Sequence, residues 1–427
     1  MAASRVVIVG GGFGGLYAAR KFSGAPIQVT LIDQRNYHLF RPLLYQVASG
    51  LLSPDEVAVP LRGILGNQRN VDVLMDEVVG VDAANHLVRL KNRDVPYDFL
   101  VLSTGIHYNY FGHDEWREIA IPLESLEQAD VIRTKVFEAL ERAENLAASG
   151  NAPADEIQRQ LTFALVGGGT VGVEMAGTLA EMFHMALERD FRHIDPRSAR
   201  ILLYEAGPRL LGTYPQNLSL DAQRHLESLG VELHTNTRVT AIDRSGIVAG
   251  GQTIPTATVI WGAGVLASPA AQWLGVASDA SGRINVNPDL SVPGHPEIFA
   301  IGDTAHVVAP SRNLIGIRSR EPMVLPGTAQ PAIQEGQYVA RLIRSRVTNR
   351  PAPAPFWYWD KGDLAIVGRT YAVADLRFAR FAGFPAWFVW VTVHIYFLIG
   401  FANRLFVLLE WAVAFVTKRR RGRILDQ

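Results

Sequence analysis

The sequence predicts an α/β protein built on two strand–turn–helix units of one kind and closed by an apolar helical tail. Three observations carry this expectation. A glycine turn between a strand-length apolar run and a helix-like run occurs twice, each copy is followed by an acidic residue at the end of the next strand-like run, and the chain from Phe384 onward is rich in aromatic and aliphatic residues. Composition sets the frame. The chain has 427 residues and is 48% hydrophobic, enough for two or three domains with sizeable cores. Its 41 basic residues balance 41 acidic ones, so no global field draws it to nucleic acid, and none is expected as a partner. It contains no cysteine, which excludes disulfides, thiolate nucleophiles, paired-cysteine relays and sulfur-ligated metals; no metal site is expected.

The first unit reads "RVVIVGGGFGGLYAARKF", with Gly10, Gly12 and Gly15 in G-x-G-x-x-G spacing. The second reads "LTFALVGGGTVGVEMAGTLAEMF", with Gly167, Gly169 and Gly172. In such a turn the first glycine makes the tight bend, the second lets a pyrophosphate approach the backbone, and the third lets helix pack on strand. The phosphate then sits on the helix N-terminus, where unpaired N–H groups and the dipole favour negative charge. "IQVTLIDQ" supplies Asp33 as the acid that accepts from a ribose hydroxyl, and "ARILLYEAG" supplies Glu205, farther along because the intervening crossover is longer. Two such units predict two Rossmann-like folds and two bound dinucleotides. The N-terminus enters its strand almost at once, leaving no room for a signal peptide, and with the absent cysteines this points to the cytoplasmic side.

Three further segments extend the pattern: "LVLSTGIHY" with Thr104 and Gly105, "VIWGAGVLASP" with Gly262, Ala263 and Gly264, and "EIFAIGDTA" with Gly302 and Asp303. With the two glycine turns they resemble the two-dinucleotide-binding-domain flavoproteins. The resemblance implies FAD on the N-terminal motif and a nicotinamide dinucleotide on the second. The first two segments become strand-to-loop crossings, and Asp303 is brought to the flavin's ribityl chain. It also implies a division into 1–112 and 276–350 for the FAD-binding domain, 113–275 for an inserted NADH-binding domain, and 351–427 for a C-terminal region. Without the family, Asp303 reads equally as a turn aspartate after a buried strand. Because disulfide reductases and sulfide-oxidising relatives both use cysteines, this chain has to discharge its electrons elsewhere.

"AQPAIQEG", the segment 36–62 and the tail "HIYFLIGFANRLFVLLEWAVAFVTKRRRGRI" resemble the type II NADH:quinone oxidoreductases, single-chain, peripheral, non-pumping respiratory dehydrogenases. That resemblance places Gln330 and Gln334 at a quinone pocket, with Ala329 beside them in the cofactor site. It places His38, Pro42 and Tyr45 along the flavin, Lys361 near it, and Glu174 facing nicotinamide and flavin. The residues have their own reading. Pro331 suits the first helical position, where its missing N–H costs nothing. Gln330 and Gln334, four apart, share a face and can donate to a quinone carbonyl without bringing a charge into an apolar pocket. Alternatively both amides cap the helix start, Glu174 serves the helix dipole, Lys361 lies solvated in a D-K-G turn, and the 36–62 segment is packing.

The implied reaction is hydride transfer from NADH to FAD followed by two-electron reduction of a membrane quinone. No series of carboxylates runs through the apolar tail to couple this to proton pumping. Two other readings stay open: a soluble or membrane-docked NAD(P)H-dependent reductase of a protein carrier such as ferredoxin, and a membrane-docked flavoprotein acting through a protein partner. The tail reads as two short aromatic-rich helices followed by Lys418, Arg419, Arg420, Arg421 and Arg423, an interfacial anchor for the anionic cytoplasmic face of a membrane. A single transmembrane helix from Phe384 to Ala402 is the second reading, and a homodimer interface the third.

Overall fold

The structure is a computed structural model that describes residues 3–187, 190–319, 321–417, 422, 424 and 425. The basic cluster Lys418 to Arg421 and Arg423 lies outside the described residues. The chain forms two compact units: Met1–Leu39, Ala58–His107 and Val265–Lys361 make the first, and Phe40–Val57, Tyr108–Gly264 and Gly362–Gln427 the second.

The first unit holds a six-stranded sheet in the order Ser291–Val292, His295–Ala300, Phe99–Leu102, Ser4–Val9, Ile27–Asp33, Val71–Met75. All neighbours are parallel except the edge pair formed by Ser291–Val292. A parallel sheet is covered on both faces, which is why the central strand is a continuous apolar run, with Val6, Val7 and Ile8 buried. The helix Phe13–Lys21 follows the first glycine turn and packs on the helix Ala329–Val347. A Cβ at Gly336 would overlap the Gly14 carbonyl oxygen, so glycine lets these two helices touch backbone to backbone. The three strands Val78–Asp82, Leu87–Leu90 and Asp94–Pro96 form a separate antiparallel sheet.

The second unit repeats the plan with five parallel strands in the order Ala120–Pro122, Thr258–Trp261, Thr162–Val166, Arg200–Tyr204, Val231–His234. The helix Leu126–Ser149 opens with a capping box in which Ser125 accepts from the Gln128 N–H. The antiparallel strands Asp363–Ile366, Ala372–Asp375 and Arg380–Gly383 lead into two tail helices, Phe384–Phe397 and Phe401–Thr417.

The single-span reading of the tail does not survive. The apolar stretch breaks where Leu398 turns extended and Gly400 takes φ +94°, leaving helices of 14 and 17 residues. Arg404 holds the break by donating to the carbonyls of Leu398 at 2.7 Å and Tyr396 at 2.8 Å. Among the described residues no helix is long and apolar enough to cross a membrane. The second tail helix turns its polar groups inward. Asn403 donates to the Asp55 and Glu56 carbonyls, and Trp411 Nε1 donates to Gln46 Oε1 at 2.7 Å. Phe401, Leu405, Leu408, Leu409 and Val416 are exposed.

Candidate active site

In the first unit the strands Ser4–Val9, Ile27–Asp33, Phe99–Leu102 and His295–Ala300 deliver Gly10, Asp33, Ser103 and Gly302 from their carboxyl ends, the edge where α/β sheets bind ligands. Gly10 takes φ +103°, and a Cβ at Gly15 would overlap the Gly10 carbonyl oxygen, so the bend closes only with glycine. Gly12, by contrast, has nothing within 4 Å of where its Cβ would be. That is the open side a phosphate group needs. Asp33 accepts from the Gly11 N–H at 2.5 Å through one oxygen and from the Arg35 N–H at 2.7 Å through the other. Burial raises its pKa, opposed by these two hydrogen bonds.

His38 closes this turn from behind. Its Nδ1 lies 2.9 Å from the Gly11 carbonyl oxygen, so Nδ1–H donates, and burial lowers its pKa to about 4. The ring is therefore neutral at pH 7, and its buried Nε2 has no partner within the protein. Thr304 accepts from the Gly105 N–H at 3.0 Å and meets Thr104 at 3.1 Å, tying the 104–105 loop to the Gly302–Asp303 turn. Gly302 in turn donates to Glu335 at 2.5 Å and abuts Ala332 of the glutamine helix. Burial pushes Glu335 up to about 8; the Gly302 N–H opposes this and the charge of Asp303 adds to it. The sequence reading missed Glu335, although an acid on the helical stripe shared with Val339 and Leu342 is the signal that could have found it.

The glutamine helix begins at Ala329, with Thr328 at its cap, so Pro331 is the third helical residue and not the first. The displacement is harmless because all N–H groups of a first turn lack helical acceptors. The two glutamines are not equivalent. Gln334 donates to the Trp359 carbonyl at 3.0 Å and accepts the Trp359 N–H at 2.9 Å, so both ends of its amide are spent on one backbone residue. The Gln330 Oε1 is buried without a hydrogen-bond partner. An orphaned buried oxygen costs free energy unless something else meets it. Lys361 lies with Nζ 5.5 Å from the centre of the Trp359 ring, and burial lowers its pKa.

The second unit builds a similar turn. A Cβ at Gly172 would overlap the Gly167 carbonyl oxygen, Gly167 takes φ +110°, and Gly169 is open above its Cα. Glu205 accepts from the Gly168 N–H at 2.6 Å and from the Gly207 N–H at 2.6 Å. Glu205, Gly168, Gly169, Thr170, Arg209 and Thr213 are among the residues lining a cleft of about 340 Å³. Arg209 commits its guanidinium to the Tyr214 and Gly212 carbonyls at 2.6 and 2.5 Å. The Gly262 N–H donates to Val166 at 2.7 Å, which holds the Gly262–Gly264 crossing against the strand that feeds the turn.

Glu174 is the fifth residue of the helix Thr170–Glu181, just past a first turn that carries no acid, so it is not a first-turn glutamate serving the helix dipole. It is buried, accepts from the Ile366 N–H, and burial pushes it up to about 8. Pro42 and Tyr45 fall in the second unit whereas His38 belongs to the first. The Tyr45 hydroxyl accepts from Gln46 Nε2 at 2.7 Å, and Gln46 Oε1 takes the Trp411 indole N–H. Neither Gln46 nor Trp411 was singled out from sequence, where a glutamine in an apolar run gives no sign of a partner 365 residues away. Among the described residues no cluster of side chains is suited to hold a metal.

Two glycine turns, each capped by a carboxylate on its own amide, define the class: a pyridine nucleotide-linked flavoprotein fold. The family model for pyridine nucleotide-disulphide oxidoreductases matches residues 4–336. The type II NADH:quinone oxidoreductase Ndh of Mycobacterium tuberculosis is 39% identical, over 97% of this chain and 89% of that protein, and its counterpart NdhA is 38% identical over 97% and 88%. A solved NDH2 from Plasmodium falciparum in complex with NADH superposes with a TM-score of 0.85, covering all of both chains at 22% identity. The chain belongs to the type II NADH:quinone oxidoreductases.

Proposed function

We infer that the chain oxidises NADH and reduces a quinone by way of FAD, without pumping protons. One observation carries this: both glycine turns are formed with their acids in place, in a chain that has no cysteine relay to receive electrons. Bound FAD supplies the redox centre that takes a hydride from NADH and returns two electrons to the acceptor. The residues fit it, because Gly12 leaves its outer face open and His38 Nε2 and Gln330 Oε1 are buried polar atoms without protein partners. Gly10, Gly12, Gly15 and the Gly302–Asp303 turn would hold the pyrophosphate and ribityl chain, Asp33 the adenine ribose, and Thr104, Gly105 and Ala329 the rim.

His38 positions the phosphate turn as a neutral donor. It adds no charge there, since burial keeps the ring unprotonated. Glu205 receives the ribose hydroxyls of NADH and repels a 2′-phosphate, while Arg209, engaged with two carbonyls, offers little to a phosphate. Glu174 is protonated at pH 7 and can hold a proton for delivery in the second half-reaction. We assign the quinone carbonyl to Gln330, whose amide is uncommitted at its oxygen end and whose side chain can turn its NH₂ toward an acceptor. Gln334 acts through Trp359 and fixes the helix start. The exposed apolar face of Phe401–Thr417 docks the chain on the membrane that holds the quinone, and the cytoplasmic face is the side proposed.

Rapid mixing of the purified flavoprotein with NADH and then a short-tail quinone tests the function. Flavin absorbance should bleach on NADH and return on quinone within single turnovers. Bleaching that quinone does not reverse, while an iron–sulfur protein does reverse it, would favour the carrier-reductase reading. Anchoring is tested with Leu405→Glu/Leu409→Glu, which should release the chain from vesicles and leave ferricyanide reduction intact; retention on vesicles would place the anchor elsewhere.

A further inference from the structure

In the first unit, residues 311–319 form a β-hairpin that lies outside both nucleotide turns. The Asn313 N–H donates to Ile317 at 2.9 Å, Gly316 to Asn313 at 3.0 Å and Ser319 to Ser311 at 2.8 Å. Asn313 Oδ1 also accepts the Ile317 N–H at 2.9 Å, so the tip is a well-bonded turn. Turn tips select glycine, asparagine, aspartate and serine, and they face water. This one presents Leu314, Ile315 and Ile317, which are 37, 60 and 61% exposed.

The base of the hairpin is cationic and aromatic. Arg312 faces Arg318 across the hairpin and pairs in register with Trp359 of the strand Tyr358–Asp360. That strand buries Tyr358 and Asp360 and turns Trp359, with its neighbour Trp357, outward. Arg312 lies 5.8 Å from the Trp359 ring centre and Arg318 5.2 Å from that of Trp357, distances at which guanidinium and indole attract. Between Ala305 and Ser319 the sequence has no acidic residue.

We propose that the hairpin tip Leu314–Ile317, with its Arg312, Arg318, Trp357 and Trp359 collar, is a second membrane-docking element that inserts into the surface of an anionic phospholipid bilayer. The layering matches that surface. Aliphatic side chains enter the acyl boundary, indoles prefer the headgroup level where one edge is apolar and the other wet, and guanidiniums meet phosphate. A second copy of the chain is disfavoured by area, since a stable dimer buries about 800 Å² per partner and a narrow hairpin tip presents a fraction of that. The element is independent of the tail helices and of the quinone reading. It also gives the first unit a lipid contact of its own, one backbone residue from the glutamine helix through the Gln334–Trp359 pair.

The cysteine-free sequence permits a local test on the full-length flavoprotein. Ile315→Cys is labelled with an environment-sensitive fluorophore, and Leu220→Cys, on an exposed helix position of the second unit, serves as the reference. With phosphatidylglycerol-containing vesicles the label at 315 should shift to the blue and lose several-fold of its quenching by iodide, while the label at 220 stays unchanged. Ile315→Asp/Ile317→Asp should lower the vesicle partition coefficient by roughly tenfold, and Arg312→Gln/Arg318→Gln should remove the preference over pure phosphatidylcholine. A label at 315 that stays fully quenchable on vesicles to which the protein is bound overturns the proposal. So does a blue shift that follows protein concentration without vesicles, which would instead mark contact between two copies.

Discussion

The two glycine turns share their backbone chemistry and differ in what surrounds them. In each, the third glycine lies against the carbonyl of the first, and an acid from the neighbouring strand accepts the amide between the first two glycines, at 2.5 Å for Asp33 and 2.6 Å for Glu205. In both turns a leucine walls the middle glycine. A Cβ at Gly11 would meet Leu61 at 2.7 Å, and one at Gly168 would meet Leu210 at 2.6 Å; what the first turn has besides is buried His38, whose Nδ1–H donates to the Gly11 carbonyl. The second turn opens on a cleft of about 340 Å³ rimmed by Pro208, Arg209 and Thr213. On the proposed function the first turn holds a cofactor that stays, and the second a substrate that leaves after each turnover.

The strongest way to break this comparison is to block each turn in the same manner. Gly15→Val should give protein purified without flavin colour and with a lowered Tm. Gly172→Val should keep its flavin, still bleach with dithionite, and lose NADH reduction by roughly a hundredfold or more, as expected when two charge-assisted hydrogen bonds of about 1.5–3 kcal/mol each are lost. Loss of flavin from both variants would mean that the turns are not distinct in function.

Glu205 sharpens the same contrast with a smaller effect. The wild type should prefer NADH to NADPH in kcat/KM, and Glu205→Gln should lower kcat/KM for NADH by roughly ten- to a hundredfold with flavin content unchanged. An NADPH value equal to that for NADH in the wild type would remove Glu205 from the ribose.

The acceptor, like NADH, has to leave after each turnover, and the two glutamines should divide along the line drawn by their partners. Gln330→Ala should slow flavin reoxidation by quinone about five- to a hundredfold while NADH bleaching and ferricyanide reduction stay near wild type. Gln334→Ala should lower stability by about 1–3 kcal/mol through loss of its two Trp359 hydrogen bonds, read as a drop in Tm. Equal slowing of quinone and ferricyanide by Gln330→Ala would return that residue to a purely structural role.

The smallest expected effect is on pH dependence. Among the described residues each unit carries one buried carboxyl held up to about 8, Glu335 in the first and Glu174 in the second. A carboxyl whose folded pKa lies above its unfolded value binds its proton more tightly when folded. Its contribution is complete below about pH 4.5 and is lost as pH rises toward 8. His38, lowered to about 4, acts in the opposite sense and costs stability as pH falls from 6.5 toward 4. Tm should therefore decline from pH 6.5 to 8, and Glu335→Gln or Glu174→Gln should each flatten part of that decline. An unchanged slope in both variants would show that neither carboxyl is protonated in the folded chain.

Much of the site was legible from sequence because its requirements are local. A bend at positive φ and a backbone that touches backbone accept only glycine, so Gly10, Gly15, Gly167 and Gly172 announce themselves, and Asp33 and Glu205 follow at the end of the next strand. The tail was legible as two short aromatic-rich helices, yet which side faced outward was not. Its polar groups turn out to be spent on Asp55, Glu56 and Gln46, so the tail also helps hold the second unit together.

By itself the sequence determined the class of fold, both nucleotide turns and the absence of a thiol relay, since glycine sterics, strand burial and the cysteine count are properties of short segments or of composition. Only the tertiary structure decided that Gln334 is committed to Trp359 while the Gln330 oxygen is left alone, that Glu335 and Glu174 are buried against the Gly302 and Ile366 amides, and that Leu314, Ile315 and Ile317 crown an exposed turn. The reason is physical. Whether a polar atom is satisfied, a carboxyl desolvated or an apolar side chain left in water depends on what the rest of the chain brings within a few ångströms, and spacing along the sequence does not encode that partner.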